Sequence, residues 1–182
     1  MKKTLLLLVL VFSINTISAQ QINWVSLEEA VELQKTNPKK IMIDMYTHWC
    51  GPCKMLDKRT FQNADVANYV NKNYYAVKFN AQGNAKVTFK GEVFTNPNYD
   101  PAKEFKRNSN HELTKYFRIQ AFPTIVFLDE NLDVLVPLRG FQNPQQLELY
   151  LKMFGKDEHK SIKSQEQFTQ YYKAFKPEFT GK

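Results

Sequence analysis

The chain has 182 residues, of which 43% are hydrophobic and 14% are aromatic, which is enough apolar material for the core of one domain. Its formal net charge is +7, and the charge falls to +5 when Lys2 and Lys3 are left out. The basic residues are spread along the chain without a helix-turn-helix, RRM-like or zinc-finger spacing, so the sequence argues against nucleic acid binding.

The first 19 residues have the pattern of a secretory signal. Two lysines precede an apolar stretch, residues 5–12, that is too short to span a bilayer, and small residues then favour cleavage after Ala19. No cysteine lies near this segment, which excludes lipoprotein processing. We therefore expect an exported or periplasmic protein whose mature chain, residues 20–182, is a single domain without stable membrane insertion. An uncleaved membrane anchor is the alternative.

The mature chain opens with a predicted helix and a buried strand. Ser26 and Glu29 form a capping-box pattern that begins a helix to about residue 36. The apolar run at residues 41–46 predicts a buried strand, and Asp44 is the one charged residue inside it.

The two cysteines of the chain follow this strand, in the run Trp49-Cys50-Gly51-Pro52-Cys53-Lys54. Pro52 suits the first turn of a helix, so the Cys50 thiol meets free N–H groups that favour its thiolate. Cys53 lies one turn further on and is close enough to resolve a mixed disulfide. The pair therefore predicts dithiol–disulfide exchange. A zinc site would need about two more ligands, and the three histidines include no second close pair, so we expect no metal.

The elements after the cysteines include an unusual insert. A helix to about residue 59, a second helix capped by Asn63 and a strand over residues 74–80 are predicted first. The insert at residues 81–110 then contains a short hairpin pattern at residues 87–94. A disordered loop is the alternative, but four aromatic residues favour packing on the domain. They are Phe89, Phe94, Tyr99 and Phe105.

The last third of the chain predicts a helix at residues 110–117, an antiparallel hairpin from strands 124–129 and 134–138, and helices at 144–154 and 164–175. The final helix carries an aromatic stripe that we interpret as core packing rather than a docking face. The stripe consists of Phe168, Tyr171, Tyr172 and Phe175. This order of elements predicts an α/β fold with a central mixed β-sheet that has helices on both faces.

The cysteine run resembles the active site of thioredoxin, and three separate features extend the resemblance. Asp44 lies six residues before Cys50, where thioredoxins have a buried acid that relays the proton of the second cysteine. Lys78 matches the family's lysine on the neighbouring strand, near that acid. Phe122-Pro123 matches the cis-proline loop, which presents a backbone edge to a substrate strand.

The resemblance covers residues 27–154 and is closest to secreted thioredoxin-like proteins of bacterial cell envelopes. It implies a thioredoxin fold with an insert, residues 81–110, before the cis-proline loop, and an extension, residues 155–182, that holds an extra helix. The implied catalytic residues are Cys50, Cys53, Asp44 and Lys78. The implied substrate-binding residues are Trp49, Gly51, Pro52, Phe122 and Pro123.

The resemblance also implies a direction and a set of partners. Gly51-Pro52 is typical of reducing thioredoxins, whereas strong oxidants of this fold usually carry a histidine between the cysteines. We therefore expect a monomeric reductase of protein disulfides that needs no cofactor and receives electrons from a membrane donor of the DsbD type. An oxidase or isomerase of disulfides, or a redox-gated binding module, is the alternative. His48 is interpreted as an exposed spectator.

Overall fold

The computed structural model describes residues 21–181, so the predicted signal at residues 1–19 lies outside the described residues. The strands are β1 (Trp24–Val25), β2 (Lys40–Tyr46), β3 (Tyr74–Asn80), β4 (Val87–Phe89), β5 (Glu92–Phe94), β6 (Thr124–Leu128) and β7 (Val134–Arg139). The helices are α1 (Leu27–Thr36), α2 (Gly51–Leu56), α3 (Ala64–Asn73), α4 (Glu112–Tyr116), α5 (Pro144–Gly155) and α6 (Gln165–Ala174).

Five strands form one mixed sheet in the order β1-β3-β2-β6-β7. Strands β1, β3 and β2 are parallel, and β6 and β7 join them in antiparallel orientation. Helical crossovers connect the parallel strands, as parallel pairing requires, and a tight turn connects β6 to β7. The predicted α/β class with a central mixed sheet is confirmed. Strand β1 was not predicted because two residues carry no period.

Two hydrophobic cores lie on opposite faces of the sheet, and β2 contributes to both because its side chains alternate. Ile41, Ile43 and Met45 face the core under α1, the β4–β5 hairpin and α4. Met42 faces the other core, under α2, α3 and α5. Asp44 has the same parity as Met42, so its carboxyl group points towards α2, the helix of the cysteines.

Side-chain caps begin α1 and α3, as the sequence predicted, and also α6. Ser26, Asn63 and Ser164 each accept a hydrogen bond from a backbone N–H in the first turn of the following helix. Two boundaries differ from the prediction. The helix of the cysteines continues beyond α2 as a π-helical turn, Asp57–Phe61. Helix α4 begins later than residue 110, because the ring of His111 caps it by accepting from the N–H of Leu113.

The insert is folded and contains the predicted hairpin, β4 paired with β5. Phe89 and Phe94 are buried in the core below α1. Asn96 holds the two legs of the insert together, since its amide donates to the carbonyls of Gly83 and Ser109. Phe105 contacts the domain at its surface rather than in the core, since it is 70% exposed and its ring stacks on His48.

Helix α6 only partly confirms the predicted core packing. Phe168 and Tyr171 are half-buried against the second core, whereas Tyr172 is 55% exposed. The chain after α6 is held by the buried Glu148 carboxylate, which accepts from the N–H groups of Glu178 and Phe179. In residues 21–181, no helix combines the length and the apolar character that crossing a membrane requires.

Candidate functional site

The two cysteines lie at the start of α2 and are joined in a disulfide. Cys50 is the N-cap residue, with extended backbone angles, and its sulfur accepts a hydrogen bond of 3.1 Å from the N–H of Cys53. Pro52 occupies the first turn, where its missing N–H costs no helical hydrogen bond. The helix N-terminus therefore offers a hydrogen bond and its positive dipole end to Cys50, which favours a thiolate there over a thiol.

Asp44 is buried behind the second cysteine, in the middle of β2. It is 1% exposed, and its Oδ1 atom has no hydrogen-bond partner among the described residues. Burial raises the pKa of this carboxyl to about 7, while the positive charge of Lys78 lowers it and the negative charge of Asp57 raises it. A carboxyl with this pKa exchanges its proton near neutral pH, as a general acid or base must.

Lys78 lies directly beside Asp44 in the β2–β3 register, but its ammonium group forms its ion pair with Asp57. The prediction that Lys78 lies near the buried acid is therefore correct in position, and the contact between them is electrostatic rather than a hydrogen bond. The ammonium group also lies 5.4 Å and 5.6 Å from the ring centres of Trp24 and Tyr46. These contacts keep the lysine at the entrance to the site.

A cavity of about 380 Å³ connects Asp44 with Cys53. Its lining consists of Asp44, Tyr46, Thr47, His48, Cys53, Lys54, Asp57, Lys78 and Phe105. The hydroxyl of Thr47 is a second buried group in this lining without a partner in the described part of the chain. Two unpaired buried oxygens beside a cavity of this size make it suitable for ordered water, which could carry a proton between Cys53 and Asp44.

His48 and Phe105 form the outer wall of this cavity. Their rings stack with centroids 5.2 Å apart, and the Nδ1 atom of His48 lies 4.0 Å from the carboxylate of Glu104. The prediction that His48 is exposed is wrong, because its side chain is only 29% exposed and lines the cavity. The exposed Phe105 of the insert thus covers the side of the site that holds Asp44.

A second cavity, of about 470 Å³, lies in front of Cys50. Its lining consists of Trp49, Cys50, Pro52, Gln82, Arg107, Asn110, Gln120, Ala121 and Phe122. The cavity therefore brings together the nucleophile candidate, the segment that precedes Pro123, and the insert. We call this space the front cavity.

Of the predicted substrate-binding residues, Trp49, Pro52 and Phe122 line the front cavity. Gly51 is exposed beside it, and an added side-chain carbon there would meet no atom within 4 Å. Pro123 is buried and does not line the cavity, and the peptide bond between Phe122 and Pro123 is cis.

The residues at the site that the sequence did not predict include Asp57, Gln82 and Arg107. Asp57 follows Cys53 by four residues, a helical spacing that puts both on one face, so its position could have been found. Gln82 and Arg107 belong to the two ends of the insert, and only the folded insert brings them to Trp49. No local pattern predicts this contact. Within residues 21–181, no group of three or more Cys, His, Asp or Glu side chains is arranged to hold a metal ion.

Comparison with known proteins identifies similar chains. A family model described as a thioredoxin-like domain matches residues 27–155. The thiol:disulfide interchange protein DsbD of Pectobacterium atrosepticum is 26% identical over 122 residues, which are 65% of this chain but only 17% of DsbD. The disulfide bond reductase DsbH of Chlamydia pneumoniae is 25% identical over 114 residues, which cover 62% of this chain and 60% of DsbH.

Comparison with solved structures supports the predicted fold. A thioredoxin-fold protein from Helicobacter pylori superimposes with a TM-score of 0.57 at 19% identity, over 76% of this chain and 82% of the other. The predicted thioredoxin fold is therefore confirmed.

Proposed function

Because the chain belongs to the family of thioredoxin-like domains, we propose that it is an exported thiol–disulfide oxidoreductase that reduces protein disulfides. The observation that carries the proposal is the position of the cysteine pair. Cys50 caps the start of α2, and Cys53 borders a cavity that leads to the buried Asp44 carboxyl. The nucleophile candidate thus lies at the helix start, and the resolving cysteine shares a cavity with the proposed proton acceptor.

The reaction begins from the reduced dithiol. The Cys50 thiolate attacks one sulfur of the substrate disulfide, forms a mixed disulfide and releases the other substrate sulfur as a thiolate. Cys53 then attacks the Cys50 sulfur, which releases the second substrate thiolate and forms the Cys50–Cys53 disulfide. Two electrons pass from the protein dithiol to the substrate, and the two released thiolates take up the protons that the dithiol has lost.

Asp44 acts on the second step, in which the Cys53 thiol must lose its proton to become a nucleophile. The carboxyl group has a pKa raised to about 7 by burial, so its ionised form is available near neutral pH and is basic enough to take the proton. The 380 Å³ cavity between the two groups provides room for a bridging water. Lys78 and Asp57 set the charge around Asp44 with opposite signs.

The reductive direction is supported by the Gly51-Pro52 pair between the cysteines and by the name of the Chlamydia pneumoniae relative, a disulfide bond reductase. The product disulfide must be reduced again, and a dithiol protein supplies those electrons, in our proposal a membrane donor of the DsbD type. The signal pattern at residues 1–19 supports work in the periplasm. We propose that the protein acts there as a monomer.

Reduction of a protein disulfide tests this proposal. The reduced protein should catalyse the reduction of insulin by dithiothreitol, and Cys50→Ser should abolish the catalysis. A Cys50→Ser variant that still accelerates insulin reduction would refute the proposal. An unmodified protein that gives no acceleration, but binds a partner in one redox state, would instead support the redox-gated binding module.

A further inference from the structure

The insert contributes one positively charged side chain, that of Arg107, to the front cavity, and hydrogen bonds hold the loop that carries it. The guanidinium group of Arg107 lies 4.9 Å from the centre of the Trp49 ring, at the cavity that Cys50 borders. Arg107 is exposed and forms no ion pair with another residue in the described range 21–181. Its hydrogen-bond donors are therefore available to a bound molecule.

A hydrogen-bond network fixes the loop that carries Arg107. The indole N–H of Trp49 donates to the side-chain oxygen of Gln82 over 2.8 Å, and the backbone N–H of Asn108 donates to the same oxygen over 3.0 Å. The amide of Gln82 in turn donates to Asn110 over 2.9 Å. The residue next to Arg107 is thus tied to the residue next to Cys50, which limits the freedom that binding would otherwise cost the loop.

Asn108 also holds the other side of this loop. Its side chain accepts from the N–H of Asp100 and donates to the carbonyl of Asp100, so residues 100–108 form a closed turn. The cation at the front cavity is therefore presented by a preorganised segment and not by a free loop end.

The described lining of the front cavity carries positive charge and no negative charge. Among its described lining residues, Arg107 is the one charged side chain, and the rest are aromatic, apolar, amide or disulfide groups. The volume of about 470 Å³ lies in the range of small-ligand sites, roughly 300–1,000 Å³. An arginine presents a planar fork of N–H donors that fits a carboxylate with two hydrogen bonds.

We propose that Arg107 and the front cavity form a specificity subsite for a carboxylate next to the disulfide of the substrate. The inference rests on the proposed function, because the bound disulfide must reach Cys50. The Cys50 thiolate attacks the substrate sulfur nearest the carboxylate, and the second substrate half leaves as a thiolate. Two sources carry this chemistry, an acidic side chain in a peptide and the carboxylates of glutathione.

The test uses the pre-reduced full mature chain in single turnovers, so that no electron donor is needed. The peptide substrates are symmetrical disulfides of capped Ala-X-Cys-Ala peptides in which X is Glu, Gln or Lys, and released thiol is measured by chromatography after an acid quench. The glutathione arm compares glutathione disulfide with its fully esterified form. In each arm, the matched substrates differ at the carboxylate.

We expect the unmodified protein to react with the Glu peptide about threefold to tenfold faster than with the Gln peptide at low salt, the range for an exposed charge-assisted pair. Arg107→Gln should remove this ratio, and Arg107→Glu should reverse it in favour of the Lys peptide. Lys106→Gln is the matched control, since it makes the same charge change one residue away and does not line the cavity. Its ratio should equal that of the unmodified protein.

The results distinguish a failure of the subsite from a failure of the proposed function, and a peptide carboxylate from the carboxylates of glutathione. A ratio seen with the peptides assigns the carboxylate to a protein substrate, and a ratio confined to glutathione assigns it to glutathione. Equal rates within both arms, or an equal loss of the ratio in Lys106→Gln, overturn the subsite while leaving the proposed function intact. A reduced protein that reacts with none of the disulfides contradicts the proposed function, and the subsite with it.

Discussion

Replacement of Asp44 by asparagine should stabilise the oxidised protein, and the gain should grow with pH. Burial raises the pKa of Asp44 from 3.8 to about 7, so the folded state binds this proton more tightly than the unfolded state. The free energy of unfolding therefore falls as pH rises from about 4 to about 7 and is level above that range. The amide group of the variant carries no charge at any of these pH values.

The magnitude follows from the two pKa values. Each pH unit between them costs the folded state roughly 1.4 kcal/mol, so the total cost at pH 8 is about 4 kcal/mol. Roughly 1 to 2 kcal/mol of this is already present at pH 5, which leaves roughly 2 to 3 kcal/mol of change between pH 5 and pH 8. The difference between Asp44→Asn and the unmodified protein should grow by that amount.

Urea unfolding of the oxidised proteins at pH 5 and pH 8 measures this difference. Other titrating groups affect both proteins equally and cancel in the comparison. Glu166→Gln, the same charge change on the exposed surface of α6, is the control and should run parallel to the unmodified protein. If Asp44→Asn also runs parallel to it, the carboxyl group is not held protonated by burial and the reasoning is wrong.

Three further predictions concern Lys78, Cys53 and Glu148. Lys78→Met removes the charge that lowers the pKa of Asp44, so that pKa should rise further in a carboxyl NMR titration, and a fall would contradict the charge assignment. Cys53→Ser removes the resolving thiol, so mass spectrometry should find the substrate covalently attached to the protein, and free substrate thiol as the main product would argue against Cys53 as resolver. Glu148→Ala removes the carboxylate that accepts from the N–H groups of Glu178 and Phe179, while Lys152 keeps its ion pair with Glu178. It should cost about 2 kcal/mol in urea unfolding against Glu166→Ala as control, and a loss below about 1 kcal/mol would mean that the tail is held by other contacts.

The sequence predicted those parts of the site that depend on local chain geometry. Pro52 and the preceding apolar strand place Cys50 at a helix start without reference to the rest of the fold. The place of Asp44 was given by the resemblance to thioredoxin. The hairpin around Lys90-Gly91 was predictable because a glycine lies between two short runs of strand-forming residues. In the structure both turn residues have positive φ angles.

Parts that depend on distant contacts were not predictable. Phe105 has the large apolar side chain that is typical of a core residue, yet it stacks on His48 at the surface. Its position is set by the loop, which Asn108 holds closed. Arg107 reaches Trp49 only because Gln82 bonds both the indole and the loop. Nothing in the spacing of these residues indicates the contact, because Trp49 and Arg107 are more than 50 residues apart in the sequence.

The reduction potential of the Cys50–Cys53 couple, measured by equilibration with glutathione, tests the central claim most directly. A protein that reduces disulfides should have a potential near that of thioredoxin, about −270 mV. A potential near that of the oxidant DsbA, about −120 mV, would contradict the account and make the protein an oxidase or isomerase.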